Sequence, residues 1–261
     1  MIRVFALLTA AMLCYAQTST SQISGTITDS SGATVPGAAV TLTNDATGVQ
    51  LRQSTTAAGV YAFPSINAGA YSIRVEATGF KAAVRTGVVV QVSTPAVLDL
   101  QLEVGAATES VQVVATSELL QTASATLGNV VEQKSIVSLP LNGRNPLNLL
   151  FYEPGVTQRS GNTVNVNGAR STAVNITIDG IEANESTNPN PTNNIFRLNP
   201  DNVQEFKVTT NNATAEEGRN SGANVSIATR SGTNQFHGSL FDYLRNDKFD
   251  ARGFFQPTRV V

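Results

Sequence analysis

The sequence predicts a mainly β protein: an antiparallel β-sandwich, then a small α+β domain, then the start of one further strand of barrel type. Three observations predict it. Short runs within about the first 100 residues alternate apolar and polar positions, which is the period of a half-buried strand. Gly, Pro, Asn and Ser separate these runs, as they do in turns. Farther along, short helical and strand patterns mix, and 261 residues leave room for about two domains.

The composition argues against several classes of function. Charged residues make up 14% of the chain and the formal net charge is -2, so there is no strong basic field to attract nucleic acid. The chain has one His and one Cys, and no set of nucleophile, base and orienting residue can be assembled from its motifs. We therefore expect no nucleic-acid partner, no catalytic residues, no metal site and no cofactor.

The first residues, "MIRVFALLTAAMLCYAQ", predict a secretory signal peptide over residues 1–16. Arg3 is followed by an apolar run and then by small residues at Cys14 and Ala16, with cleavage before Gln17. A lipoprotein signal acylated at Cys14 is the alternative. Either way we expect an exported protein whose mature chain is held together without disulfides.

Residues 22–103 predict the sandwich. In "QISGTITDSSGATVPGAAVTLTN" the positions Ile23, Gly25 and Ile27 alternate with polar ones, and "GVYAFPSINAGAYSIRVEATGF" and "AVLDLQLEV" continue the pattern. These motifs and their order resemble the carboxypeptidase regulatory-like domain, which implies a transthyretin-like β-sandwich. Peptidase activity is not expected, because a zinc peptidase needs converging His and carboxylate ligands and the one histidine is His237.

Residues 104–120 predict a linker that contains the β-prone run "ESVQVVA". This run is open to two interpretations. It is either the first strand of the next domain, or it resembles a TonB box, the segment by which outer-membrane receptors contact TonB through strand addition. The candidate TonB-contact residues are Glu109, Ser110, Val111, Gln112, Val113, Val114 and Ala115.

Residues 121–231 predict the α+β domain. The apolar positions from Val130 to Leu139 favour a short helix that ends at Pro140, and Leu147 to Leu150 favour a second one. Alternating residues then run into the turn "DG". The motifs "LPLNGRNPLNLLFYEPGV", "NVNGARSTAVNITIDG" and "NPDNVQEFKVTTNNATAEEGRNSGANVSIATRSGTNQF" resemble, in this order, the plug domain of the Oar-like TonB-dependent receptors. The resemblance singles out Asn142, Gly143, Arg144, Gly168, Arg170, Asp179, Gly180 and Arg219 as plug motif residues.

Three arginines of these motifs have alternative roles. Arg170 and Asp179 flank one predicted strand, so they form either a buried ion pair or two solvated turn residues. Arg144 and Arg219 either bind carboxylates of a barrel wall or cap turns.

The Asn- and Pro-rich run "NESTNPNPTNNIFRLNPDN" predicts a long exposed loop. In a receptor such a loop faces the ligand, and Asn side chains both donate and accept hydrogen bonds; a disordered connector is the alternative. The candidate ligand-facing residues are Asn184, Asn188, Asn190, Asn193 and Asn194.

Residues 232–261 predict the first strand region of a β-barrel. The segment from Gln235 to Arg245 alternates imperfectly and just supplies the roughly 9–11 residues of a transmembrane strand. One strand cannot close a barrel, so we expect this chain to lack the rest of the barrel, which is normally part of the same chain. The resemblance implies the N-terminal region of an outer-membrane receptor for uptake energised by TonB and its inner-membrane complex. Its N-terminal domains would lie in the periplasm and its ligand would be a siderophore, oligosaccharide or peptide. A secreted or cell-surface binding module without transport is the alternative.

Overall fold

The computed structural model describes residues 20–105, 110–114, 125–139, 141–159, 163–185, 198–217 and 220–242, together with Leu244 and Asn246; for 110–114 it describes the backbone alone. The predicted signal peptide lies outside these residues. Strands dominate the described chain, and none of its helices is long and apolar enough to cross a membrane.

The first domain is the predicted β-sandwich. Its strands are β1 (Ser21–Asp29), β2 (Ala39–Asn44), β3 (Gln50–Ser54), β4 (Val60–Ile66), β5 (Gly69–Glu76), β6 (Ala82–Val90), β7 (Ala96–Val97) and β8 (Leu100–Leu102). One sheet has the order β4-β1-β7, with β8 also paired to β1, and the other contains β3-β2-β5-β6. Most pairs are antiparallel, whereas β7 and β8 run parallel to β1. All members of its buried core lie between Ile23 and Leu102, so this domain carries a hydrophobic core of its own.

Gly25 explains how closely β1 packs against the segment that joins β7 to β8. A Cβ atom built on Gly25 would lie 1.9 Å from the carbonyl oxygen of Leu98. The same carbonyl accepts a 2.6 Å hydrogen bond from the buried hydroxyl of Tyr61, and burial raises the pKa of that hydroxyl above its ordinary value. A side chain at position 25 would therefore occupy space that the backbone already fills.

The second domain contains seven described strands, five of which form its main sheet. The strands are β10 (Leu127–Glu132), β11 (Val156–Arg159), β12 (Thr163–Val166), β13 (Val174–Ile178), β14 (Ile181–Glu182), β15 (Val203–Asn211) and β16 (Ala223–Thr229). The order is β10-β15-β16-β13-β14, and β11 and β12 form a separate hairpin. Helix α1 (Gln133–Ser138) and the 3₁₀ segments Asn142–Arg144, Pro146–Tyr152, Ser171–Ala173, Pro200–Asn202 and Ala215–Glu217 complete the described elements.

The predicted first helix is only partly correct. Val130 and Val131 belong to strand β10, which pairs with β15, and the helix begins at Gln133. The physical reason is that the apolar positions of this segment fit both periods, and the free edge of β15 offers backbone partners that a six-residue helix cannot supply. The second predicted helix is a 3₁₀ segment that buries Leu147, Leu149 and Leu150.

The two faces of the second sheet differ in chemistry. On β15 and β16 the residues Phe206, Val208, Val225 and Ile227 belong to the hydrophobic core. The alternate positions are buried as well but mostly polar: Glu205, Lys207, Thr209, Asn224 and Ser226. Because buried polar groups are costly without hydrogen bonds, the groups that cover this second face matter to the stability of the domain.

The predicted barrel strand does not form within the part of this segment that the structure describes. Residues 231–242 form no strand, and Phe236 and Leu240 are fully exposed. Strand backbone groups need a neighbouring strand, and the described residues provide none here. Within this segment Asn234 binds the first domain through the carbonyls of Ala46 and Thr47.

Candidate functional site

The candidate TonB-contact run forms a strand at the edge of the first sandwich. Strand β9 (Ser110–Val114) pairs in parallel with β6, with Ala82 opposite Ser110 and Thr86 opposite Val114. The sheet order is β3-β2-β5-β6-β9, so β9 is its last strand. The strand therefore belongs to the sheet of the first domain. The interpretation of this run as the first strand of the next domain is wrong, because its backbone pairs with β6 and not with the second sheet. Glu109 and Ala115 lie outside the described residues.

Arg144 joins two separate motifs of the second domain. It follows Gly143 in a turn where both residues have positive φ, and its Nη2 donates to Asp201 Oδ2 at 2.8 Å. A longer contact of 3.4 Å reaches Asn199 Oδ1, and the guanidinium carbon lies 4.8 Å from the ring centroid of Phe241. Arg144 is thus bound to a carboxylate of its own domain. The backbone of Asn142 opens this turn.

Gly168 and Arg170 lie at the turn that follows β12. Asn167 and Gly168 both have positive φ, and Ala169 N–H donates to the Val166 carbonyl at 2.8 Å, as in a type I′ turn. The amide of Asn167 donates to the Thr210 carbonyl at 3.2 Å, which ties the turn to β15. Arg170 is exposed.

Asp179 and Gly180 form the second turn of this type, between β13 and β14. Both have positive φ, and Ile178 pairs with Ile181 across the turn. The carboxylate accepts 2.9 and 2.7 Å hydrogen bonds from the backbone N–H and the hydroxyl of Thr229, at the end of β16. The buried ion pair with Arg170 that the sequence left open is absent, because both side chains are exposed and Thr229 occupies the carboxylate. The alternative of two turn residues is the one observed.

Asn184 serves the second domain internally. Its Oδ1 accepts from Ile176 N–H at 3.1 Å and its Nδ2 donates to Asn175 Oδ1 at 2.6 Å. A half-buried side chain with these bonds holds the β13–β14 hairpin. Asn188, Asn190, Asn193 and Asn194 of the predicted loop, and Arg219 of the predicted motif, lie outside the described residues.

Sequence reasoning missed a contact between the two domains. The backbone N–H of Val92 donates to Glu205 Oε1, and Lys207 Nζ donates to the Ser93 carbonyl at 2.7 Å. Burial raises the pKa of Glu205, against the Val92 hydrogen bond that lowers it, and Glu132 raises it further. Burial also lowers the pKa of Lys207. The run "QEFKV" carries no local signal of this contact, because charged residues that alternate with apolar ones are ordinary in a strand with one solvated face.

The described residues contain no group of three or more His, Cys, Asp or Glu side chains that could hold a metal ion. The arrangements above are structural links: turns fixed by hydrogen bonds, one ion pair, an edge strand and an interdomain contact.

Three protein-family models match the chain in sequence. The carboxypeptidase regulatory-like domain matches residues 22–103, the TonB-dependent receptor plug domain matches residues 103–225, and an outer membrane beta barrel domain matches residues 228–260. The plug family is one of TonB-dependent receptors, and the barrel family implies an outer-membrane location. The order of the three is the one that the sequence motifs implied.

The TonB-dependent transporter Oar of Myxococcus xanthus is a curated relative, 29% identical over 240 residues. The match covers 87% of this chain, which spans 22% of the length of that relative. Among solved structures, the Bacillus anthracis TIE protein (18% identity, TM-score 0.29) is matched over 33% of this chain and 16% of that one. A hydroxyquinol 1,2-dioxygenase from Pseudomonas putida DLL-E4 (11% identity, TM-score 0.25) is matched over 33% and 56%. Neither structural likeness bears on fold or function at these scores.

The mainly β fold agrees with the matched domains, since a β-sandwich is followed by a mixed plug sheet. The chain thus carries a TonB-dependent receptor plug domain between a carboxypeptidase regulatory-like domain and an outer membrane beta barrel match, and over most of its length it is similar to the transporter Oar.

Proposed function

We propose that the chain couples TonB to a plug in the energised uptake of a small ligand, with Glu109–Ala115 as the TonB-contact segment. The ligand class is a siderophore, an oligosaccharide or a peptide, and the N-terminal domains lie in the periplasm. The observation that carries the proposal is the position of β9 as the last strand of its sheet.

An edge strand is the structure that strand addition requires. One side of β9 is bound by β6, and the N–H and C=O groups of its other side are directed away from that sheet. A partner strand can bind these groups through main-chain hydrogen bonds, which supply affinity with little demand on sequence. TonB would thereby extend the sandwich sheet by one strand beyond β9.

Proline substitutions test this geometry, because successive N–H groups of a strand point in opposite directions. Val111→Pro and Val113→Pro remove donors on one side of β9, and Gln112→Pro removes a donor on the other side. Only one of these two sets faces the added strand. Val113→Ile keeps the backbone donor and serves as the matched control.

The measurement is a titration of the purified chain with the periplasmic domain of TonB. One lost hydrogen bond is worth about 0.5–1.5 kcal/mol, so the outward-facing proline should raise Kd roughly two- to twelvefold. Val113→Ile should leave Kd within about twofold of the parent. Binding that is equally tight in all three proline variants would show that Glu109–Ala115 is not the contact segment. In that case the receptor assignment would depend on the domain matches alone.

A further inference from the structure

We propose that Glu205 and Lys207 clamp the first domain onto the central sheet of the plug, so that the two domains form one rigid unit from β9 to β15. The clamp consists of the backbone of Val92 and Ser93 on one side and these two side chains on the other. Its consequence for uptake rests on the proposed function, but its existence does not.

The two contacts are complementary in donor and acceptor. Glu205 and Lys207 are two positions apart on β15, so their side chains emerge on the same face of the sheet. The carboxylate accepts from a backbone N–H, and the ammonium donates to the carbonyl of the next residue. The side chains thus bind one peptide segment at adjacent points, and recognise its backbone rather than its sequence.

Burial makes this contact specific. Glu205 is 7% exposed and Lys207 is 3% exposed, and within the described residues neither forms a salt bridge. A charged group this deeply buried is costly unless it is hydrogen-bonded. The partners shown for both charged ends come from the first domain, so separation of the domains would leave two buried charges to find new partners.

The bound segment is also fixed from the side of the sandwich. The hydroxyl of Ser21 in β1 donates to the Thr94 carbonyl, and Thr94 Oγ1 donates to the Val92 carbonyl at 2.9 Å. Val92 is fully buried and Thr94 is 7% exposed. The segment is therefore bound to the first domain by hydrogen bonds of its own, independently of its contacts with the plug.

The path from the edge strand to the plug is short. Strand β6 holds β9 along Ala82–Thr86, and β6 continues directly into the clamped segment after Val90. Strand β15 lies between β10 and β16 in the plug sheet. A load applied to β9 therefore reaches an inner strand of the plug through hydrogen bonds of β6 and the clamp, in addition to the covalent chain that joins the domains.

The clamp can be tested without TonB by measuring the distance between the domains. Cys14 is the only cysteine of the chain, so a Cys14→Ser background with Ser54→Cys and Ser135→Cys places spin labels at two exposed positions, one in each domain. Pulsed electron–electron double resonance on the full chain then reports the distribution of distances between the two spin labels. We expect one narrow peak in the parent. Glu205→Ala combined with Lys207→Ala should broaden that peak at least twofold.

Two further variants separate the clamp from folding. Glu205→Gln combined with Lys207→Arg keeps an acceptor and a donor at the same positions and should retain the narrow peak. If the double alanine variant does not fold, Lys207→Met keeps the aliphatic stem, removes one of the two contacts, and should still broaden the peak. A broad distribution in the parent, or a narrow one in a folded variant that lacks the contacts, would overturn the clamp. Either result would leave the TonB titration untouched.

Discussion

Gly25→Ala should destabilise the first domain more than the addition of one methyl group at a surface position would. The new Cβ would lie 1.9 Å from the Leu98 carbonyl oxygen and 3.1 Å from the Tyr61 ring. Real Cβ contacts are essentially never below 3.0 Å, so the backbone at Leu98 must retreat by at least 1.1 Å, the difference between 3.0 and 1.9 Å. That movement also strains the hydrogen bond that Leu98 N–H donates to the Ser24 carbonyl.

The magnitude follows from two effects. Overpacking of a closely packed interior costs about 1–3 kcal/mol. Moving the Leu98 carbonyl away from Tyr61 leaves a buried hydroxyl without its 2.6 Å acceptor, which adds about 1–3 kcal/mol. We expect a loss of about 3 kcal/mol in the free energy of unfolding. For a domain of this size that lowers Tm by about 12–24 °C.

Differential scanning calorimetry of the full chain measures this loss, with the first domain's transition identified from residues 20–114 alone. Gly232→Ala is the matched control, because its Cβ would meet no atom within 4 Å. Tyr61→Phe isolates the hydroxyl and should cost about 1 kcal/mol. The reasoning is refuted if Gly25→Ala melts within about 2 °C of the parent.

Three other outcomes are expected. Residues 20–114 expressed alone should melt in one cooperative transition by circular dichroism, since their buried core is complete without the plug; a gradual, featureless melt would contradict this. Arg144→Ala should destabilise the plug by about 1–3 kcal/mol in urea titrations, because it leaves Asp201 without its partly buried 2.8 Å partner, and Arg144→Lys should cost less. The raised pKa of Glu205 means that the folded parent keeps a proton at pH values where the unfolded chain has already lost it. The stability of the parent therefore falls as the pH rises from 4.5, the ordinary pKa of this carboxyl group, through its raised pKa in the folded chain. Glu205→Gln lacks this fall, so its stability relative to the parent should increase over that pH range in urea titrations; parallel pH curves would exclude it.

The local alternation of the first domain was sufficient to predict its fold. Ile23 and Ile27 are fully buried on one face of β1, as period-2 patterning requires. Turn chemistry was equally informative in the plug, where "DG" marks a type I′ turn at Asp179. These features depend on neighbouring residues, so a single sequence contains them.

Features that depend on distant partners could not be predicted in the same way. The run "SVQVV" has the composition of a strand, but nothing in it specifies that its pairing partner is β6. Glu205 and Lys207 occupy positions that normally face water in an alternating strand, but in the folded chain they are buried and bound to Val92 and Ser93, more than 100 residues earlier. Arg144 finds Asp201 across 57 residues for the same reason. Long-range pairing is set by the assembled sheets, which the local pattern does not encode.

The parallel pairing of β9 with β6 also means that two ways of dividing the chain disagree. Sequence families place the division at residue 103, whereas the hydrogen bonds of the first sheet continue to Val114. A gene fusion or an expression fragment cut at the family boundary would carry β6 with its outer backbone groups bare. Exposed strand edges of that kind recruit strands from other molecules. A fragment that ends at 103 therefore presents β6 as the edge of this sheet, whereas one that ends at 114 presents β9, the strand proposed to bind TonB.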